Sequence, residues 1–435
     1  MHKAIIPLLY VLIFSVSNLF AGNGSKPHYN DKDINHIVSQ LTLEQKARLL
    51  VGCPGSDKGV SHIVAGSAGY TFPIDSLDIP SINLADGPVG VRITPVLPNK
   101  PYTSYCTCFP STTALAATWN KDIARLEGNA IGDEALAYGV DIVLTPGINI
   151  MRNPLCGRNF EYFSEDPYLS GIMGAAMING IQDKGIGASL KHFIANNQQT
   201  GKLYNDARIS QRAIREIYLK GFEICIKNSD PWTVMGSYNK IGGQYTQANP
   251  ELLRTILRNE WNYNGLIVTD WYKKRDTADQ LNGGTDLMMP GEQSQVDEII
   301  TGVKNGRISE TTLNESVKYV LKLISKSISN KGWEYNEAPD LAANAALARR
   351  IATEGMVLLK NDRSFLPISQ GAKIALFGAT AYKSIAGGTG SSNVNKAHIT
   401  DISTGLEKGG YTLSNRLKGL YTNCLLYTSP SPRDA

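Results

Sequence analysis

The sequence predicts an α/β chain organised around a (β/α)8-type barrel, and three observations carry that prediction. Short apolar, β-branched runs recur at residues 82–85, 141–144, 186–190, 233–236, 266–269 and 286–289, each the length of a strand buried on both faces. Amphipathic stretches such as 211–227 and 250–261 lie between them, the alternation of a parallel sheet with crossover helices. Most runs recur about 20 to 60 residues apart, which suits a barrel of ~250 residues or more carrying insertions. An open doubly wound sheet is the alternative. No Gly-x-Gly-x-x-Gly turn follows a strand near the start to support it.

The amino terminus stands apart from this pattern. A short basic start, Met1-His2-Lys3, precedes an almost wholly apolar stretch over 4–16 and small residues over 17–22, the layout of a secretory signal peptide. The apolar run falls short of the ~20 residues that span a bilayer, which argues against a transmembrane anchor. Cleavage is expected after Ala21 or Gly22, with no cysteine there to carry a lipid. The mature protein is therefore expected to be periplasmic or secreted, without a membrane anchor.

Length and charge narrow the rest. With 435 residues, 42% hydrophobic and 19% charged, the chain is long enough for two domains. A net charge of +4 without blocks of Lys or Arg argues against a nucleic-acid partner. Six irregularly spaced cysteines, at 53, 106, 108, 156, 225 and 424, read mostly as packing residues. A disulfide among them stays open. The last twelve residues, CLLYTSPSPRDA, break the preceding pattern. They resemble an in-frame reading of a sequencing-library adapter, the alternative being a genuine Ser/Pro-rich tail. On the first reading the native sequence ends near Asn423 and the chain is a fragment of a longer protein.

The strand ends carry the chemistry. The 82–85 run ends at Asp86, the 186–190 run at Lys191-His192, the 233–236 run, continued by Ser237, at Tyr238-Asn239, and the 266–269 run at Asp270-Trp271. Each has an ordinary reading as turn residue, ion pair or rim packing. Four such ends on one barrel face point instead to an active site. Asp accepts hydrogen bonds from vicinal hydroxyls, Arg and Lys donate them, and Trp offers a flat face to a sugar ring. A carboxylate on that floor can attack an anomeric carbon, with a second carboxyl ~5 to 5.5 Å away acting as acid and then base. That is retaining glycoside hydrolysis, which needs no metal or organic cofactor.

Six segments in this order, LADGPVGVR (84–92), GRNFEYFSEDPYLSG (157–171), KHFIANNQ (191–198), GSYNKIGG (236–243), GLIVTDW (265–271) and GGTDLMMPG (283–291), resemble the motifs of glycoside hydrolase family 3, in its β-glucosidase-like branch. The resemblance runs from about residue 34 to 423. It implies a barrel-like catalytic domain over 34–330, a linker over 331–354, and the first part of an α/β sandwich domain over 355–423. GMVLLKNDRSFLPI (355–368) and KIALFGATA (373–381) resemble the entry to that sandwich, and AGGTGSSNV (386–394) its glycine-rich loop. Carried over position by position, Asp270 is the nucleophile. Asp86, Arg158, Lys191, His192 and Tyr238 hold the hydroxyls of the terminal sugar, and Trp271 borders its pocket. The implied partner is a β-linked oligosaccharide or glycoside, from which terminal β-D-glucose or a related sugar is removed. Glu161, Glu165 and Asp166 fall in a loop rich in turn residues and read as structural ion-pair groups.

The chain also departs from the family it resembles. Gln199, Lys202 and Gln211 stand where related β-glucosidases usually have Glu, Arg and Glu, and Lys for Arg gives up a planar fork of donors. The family's acid/base Glu lies well downstream of the glycine-rich loop, and neither Asp401 nor Glu407 is assigned that role. The expected acid/base is missing from this sequence, and poor turnover is the consequence. Two readings from other classes stand beside this one. Lys191 can serve as a Schiff-base lysine in an aldolase-like barrel, although a charged His192 beside it argues against that, and the chain can be a non-catalytic carbohydrate-binding fragment. The N-acetylglucosaminidase branch is disfavoured because no Asp-x-His dyad follows Lys191-His192.

Overall fold

In the computed structural model the described residues are 28–55, 64–94, 103–271 and 275–424, so the predicted signal peptide and the tail beyond Cys424 lie outside them. Seven segments form one sheet in the order Cys53–Pro54, Gly69–Tyr70, Asn83–Asp86, Ile142–Leu144, Gly187–Phe193, Thr233–Gly236 and Leu266–Val268. The last five run parallel, and the first two join antiparallel. Single bridges from Val268 to Leu287 and from Met288 to Val51 carry the curl round to the first strand. The sheet is thereby bent into a barrel, as the alternation of runs predicts.

Both faces of the central strands are buried. Val143, Leu190, Val234 and Ile267 join one apolar cluster with the surrounding helices, while Leu84, Leu144, Met235 and Val268 join a second. Each such side chain contributes on the order of 1.5–3 kcal/mol by burial, and alternate residues serving both clusters explain why the runs read as continuously apolar. The predicted strand over 286–289 survives only as those single bridges. The physical reason is a side-chain substitute for the ladder: Met289 N donates to Thr269 Oγ1 at 2.7 Å, and that hydroxyl donates to Met289 O at 3.1 Å.

The helices start and stop where the sequence dictates. Asn120 accepts from Asp122 N and Ile123 N to open Lys121–Tyr138, and Gly139 closes it at φ +76°. Asp166 caps Pro167–Asp183, with Pro at its first position. These two helices approach so closely that a Cβ on Gly180 would sit 2.1 Å from Arg125 O. The amphipathic stretches are helical but wound unexpectedly. Ile214–Tyr218 precedes a regular helix at Lys220–Ser229, and Glu251–Glu260 turns through wide bonds such as Trp261 N to Ile256 O at 3.0 Å. Leu252, Leu253, Ile256 and Leu257 are buried all the same. Periodicity found the face and not the winding.

Within 331–354 the chain forms a helix, Leu341–Glu354, that leans on Thr112–Ala117 and Lys121–Tyr138. Beyond it, Lys373–Ile374 pairs in parallel with Thr412–Leu413 across the helix Ile402–Lys408. Among the described residues the cysteines at 106, 108, 156 and 225 form no disulfide, with Cys106 and Cys225 buried, and no helix is long and apolar enough to cross a membrane.

Candidate active site

The strand ends converge as predicted. Asp86 closes Asn83–Asp86, Lys191 and His192 lie near the end of Gly187–Phe193, and Tyr238 and Asp270 follow the ends of Thr233–Gly236 and Leu266–Val268 by two residues. Arg158 arrives from the loop before the turn Asn159–Glu161. All of them, with Trp271, line one cavity of about 440 Å³. The strands fix backbone positions, and side-chain bonds then aim the groups. Asn149 clasps the His192 main chain, donating to its carbonyl and accepting from its N–H, both at 2.9 Å. The Trp271 indole is held by a 2.9 Å bond to Ala68 O.

Cations are interleaved with carboxylates around the cavity. Arg92 pairs with Asp86 at 3.1 Å, Arg158 pairs with Glu161, and Lys191 Nζ lies 3.8 Å from Glu161 Oε2. Glu161 is thus an ion-pair group, as expected, but it also walls the cavity, a position its sequence context does not reveal. Asp166 is the helix cap already described, accepting from Tyr168 N at 2.8 Å. Arg92 and Phe160 also line the cavity, and neither is among the residues that the sequence singles out. Arg92 is within reach of sequence reasoning, since it ends the same motif that supplies Asp86. Thr389, Gly390 and Ser391 of the glycine-rich loop complete the wall from the far part of the chain.

Glu161 Oε2 is also buried without a hydrogen bond, but Asp86 and Glu161 are each paired with an arginine and Asp270, among the described residues, is not. Asp270 Oδ1 accepts from Trp271 N at 2.7 Å, whereas Oδ2 is buried without a hydrogen-bond partner, 3.8 Å from His192 Nε2. Burial raises its pKa above the ordinary carboxylate value, opposed by Arg158, the Trp271 N–H, Lys191 and the Tyr238 hydroxyl. His192 is pushed well below its usual value by burial and then by Arg158, Lys191 and Lys202. The imidazole is therefore neutral at pH 7, which corrects the expectation of a charged His192. Its Nδ1 lies 3.1 Å from the Tyr162 hydroxyl. Lys191 is engaged by Glu161, whereas a Schiff-base amine has to be free to attack a carbonyl. Of the departures noted in the sequence, Gln199 keeps a buried, unpartnered Oε1, and Lys202 sets its ammonium 4.7 Å over the Tyr238 ring, a cation–π contact.

A barrel whose carboxyl end gathers donors, acceptors, an indole and buried carboxylate oxygens held out of hydrogen bonding, Asp270 Oδ2 and Glu161 Oε2, is the class of site that handles polyhydroxyl ligands. Comparison with known proteins names the class. Residues 101–323 match the glycosyl hydrolase family 3 N terminal domain. Thermostable beta-glucosidase B of Acetivibrio thermocellus is 42% identical over 386 residues, covering 87% of this chain and 49% of that protein. An exo-alpha-(1->6)-L-arabinopyranosidase of Bifidobacterium longum is 37% identical over 390 residues, covering 86% and 49%. Beta-glucosidase 3B of Thermotoga neapolitana, solved in complex with alpha-D-glucose, superposes with a TM-score of 0.87 at 42% identity, covering 92% of this chain and 57% of that one. The chain belongs to glycosyl hydrolase family 3. It spans about half the length of these curated relatives.

Proposed function

We propose that this chain carries the glycone-binding and nucleophilic half of an exo-acting, retaining β-glycosidase of the β-glucosidase type. The observation that carries the reading is Asp270 Oδ2, buried in the cavity and without a hydrogen-bond partner. An oxygen so placed is available to attack an anomeric carbon, and the cations beside Asp270 favour its ionised form. Asp86, Arg158, Lys191, His192 and Tyr238 hold the hydroxyls of the terminal sugar, and Trp271 borders its ring. Neutral His192 both donates and accepts, which suits a hydroxyl better than an imidazolium would. The other carboxylates of the cavity, Asp86 and Glu161, are engaged by Arg92 and Arg158. The acid/base Glu is accordingly assigned to sequence beyond these residues in the whole protein. Resemblance to beta-glucosidases favours a terminal β-D-glucosyl unit, and the leader-like amino terminus favours export.

The assignment predicts chemical rescue. Asp270→Ala stops hydrolysis of an aryl β-glucoside with a dinitrophenolate leaving group, which departs without protonation. Added azide then enters the vacated space and yields the α-glycosyl azide. Hydrolysis surviving in Asp270→Ala at more than a trace would remove Asp270 from the mechanism.

A further inference from the structure

A second cavity, of about 400 Å³, opens at the amino end of the barrel. It is separate from the site above: Asn83 lines it, whereas Asp86, at the other end of the same strand, lines the candidate active site. Three residue steps of strand put the two about 10 Å apart along the barrel wall. Its lining combines two aromatic side chains, Trp333 and Tyr335, with Asp75, Asp78, His28 and Ser81.

The state of these groups is what points to a ligand. Tyr335 is 50% exposed, its ring lying against Gly139, where a Cβ would come within 2.8 Å. A backbone without a side chain thus forms the seat on which the ring lies. Trp333 is fixed by a 3.2 Å bond from its indole N–H to Leu136 O. Asp78 is taken by His28 at 2.7 Å, while the exposed Asp75 has no side-chain hydrogen bond or ion pair among the described residues. Ser81 is only 6% exposed, and its Oγ is buried without a partner. A buried hydroxyl left unsatisfied costs about 1–3 kcal/mol unless something bonds to it.

We infer that this cavity is a non-catalytic binding site for a neutral saccharide. Tyr335 and Trp333 offer apolar faces to the C–H face of a pyranose, Asp75 accepts from its hydroxyls, and Ser81 Oγ bonds to one that reaches the floor. Among the described residues no lysine or arginine lines the cavity while Asp75 and Asp78 do, which disfavours an anionic ligand. The mix of donors and acceptors suits hydroxyls, which do both. The proposed function bears only on the choice of sugar, since occupancy here does not require Asp270 to be a nucleophile.

The test is calorimetric titration of Asp270→Ala with cellobiose, which that variant does not consume, compared with Asp270→Ala carrying Tyr335→Ala, Asp75→Ala or Arg158→Ala. The inference expects two binding sites in the first protein. Tyr335→Ala weakens one of them about tenfold, the worth of an aromatic contact of ~1.4 kcal/mol, and Asp75→Ala weakens that same site. Arg158→Ala weakens only the other. Tyr335 and Asp75 are exposed, so neither change is expected to disturb folding. A single site indifferent to Tyr335 and Asp75 but lost with Arg158 overturns this inference and leaves the proposed function standing. A single site lost with Tyr335 and indifferent to Arg158 upholds the inference and contradicts the catalytic reading.

Discussion

The barrel buries aspartates at both ends of its strands, and it treats them oppositely. At the amino end, Asp141 accepts from Asn83 N, Ser329 N and Ser329 Oγ at 2.8, 2.9 and 2.8 Å. Asp286 accepts from Arg258, Ile267 N and Ser316 Oγ at 2.6, 2.8 and 3.1 Å. Every oxygen of both is satisfied. At the carboxyl end, Asp270 has one oxygen bonded and the other left open toward the cavity. A fully bonded buried acid ties the sheet to its connections, whereas an acid with an oxygen held back forgoes stability for reactivity.

The largest expected difference is in catalysis. Asp270→Asn lowers hydrolysis of a dinitrophenyl β-glucoside by about 10⁴-fold or more, as loss of a nucleophile does, and Asp141→Asn changes it less than tenfold. An initial-rate assay of the two variants at matched folded concentration checks this. The stability effects run the other way. Arg258→Ala leaves Asp286 buried without its cation and lowers unfolding free energy by about 3–5 kcal/mol. Asp270→Asn leaves it unchanged or raises it by about 1 kcal/mol. Urea denaturation distinguishes these outcomes, and a large loss of stability in Asp270→Asn would break the comparison.

The third effect depends on pH. Burial raises Asp141 to about 6 in the folded chain despite its hydrogen bonds, from an unfolded value near 4. The folded state therefore binds the proton more tightly than the unfolded one. The stabilising contribution of the protonated acid is complete below pH ~4 and is lost as pH rises through 6. The stability of the native protein minus that of Asp141→Asn should thus fall by about 3 kcal/mol between pH 4 and 6 and stay level above. Denaturation midpoints across that range test the sign. The smallest effect concerns the thiols. With Cys106, Cys108, Cys156 and Cys225 forming no disulfide among the described residues, a reductant leaves the thermal midpoint unchanged, and a drop of several degrees would reveal a bridge.

The range of the interactions involved decides how much of this is legible in the sequence. Asp270, Lys191, His192, Tyr238 and Asp86 are readable because a buried parallel strand announces itself by its own apolar run, and the residues just past that run sit at the barrel mouth. The Gly69–Tyr70 strand is not readable. It is two residues long, and its pairing with Leu84 and Asn83 leaves no local periodicity. Glu161 looks like a turn residue because Arg158 is its neighbour three residues back in the same turn, while Lys191 meets it only when the end of Gly187–Phe193 packs against that loop. The neutrality of His192 is hidden likewise, since burial and three separate cations set it.

Past the Leu341–Glu354 helix, pattern and outcome diverge. Met356, Val357, Leu358 and Leu359 form an apolar run as marked as Leu266 to Val268, yet they are 76%, 65%, 62% and 91% exposed. The same kind of run is core in one place and exposed in another, because burial belongs to the partners and not to the run, and this chain spans only about half the length of the curated relatives it matches.

The most direct test of the central claim is covalent trapping. The chain is incubated with a dinitrophenyl 2-deoxy-2-fluoro-β-glucoside, whose fluorine slows hydrolysis of a glycosyl-enzyme more than its leaving group slows formation, and the digest is mapped by mass spectrometry. The account predicts one fluoroglucosyl adduct, on Asp270, in the peptide containing GLIVTDW. An adduct on Asp86 or Glu161, or dinitrophenolate released without any adduct on Asp270, would contradict it.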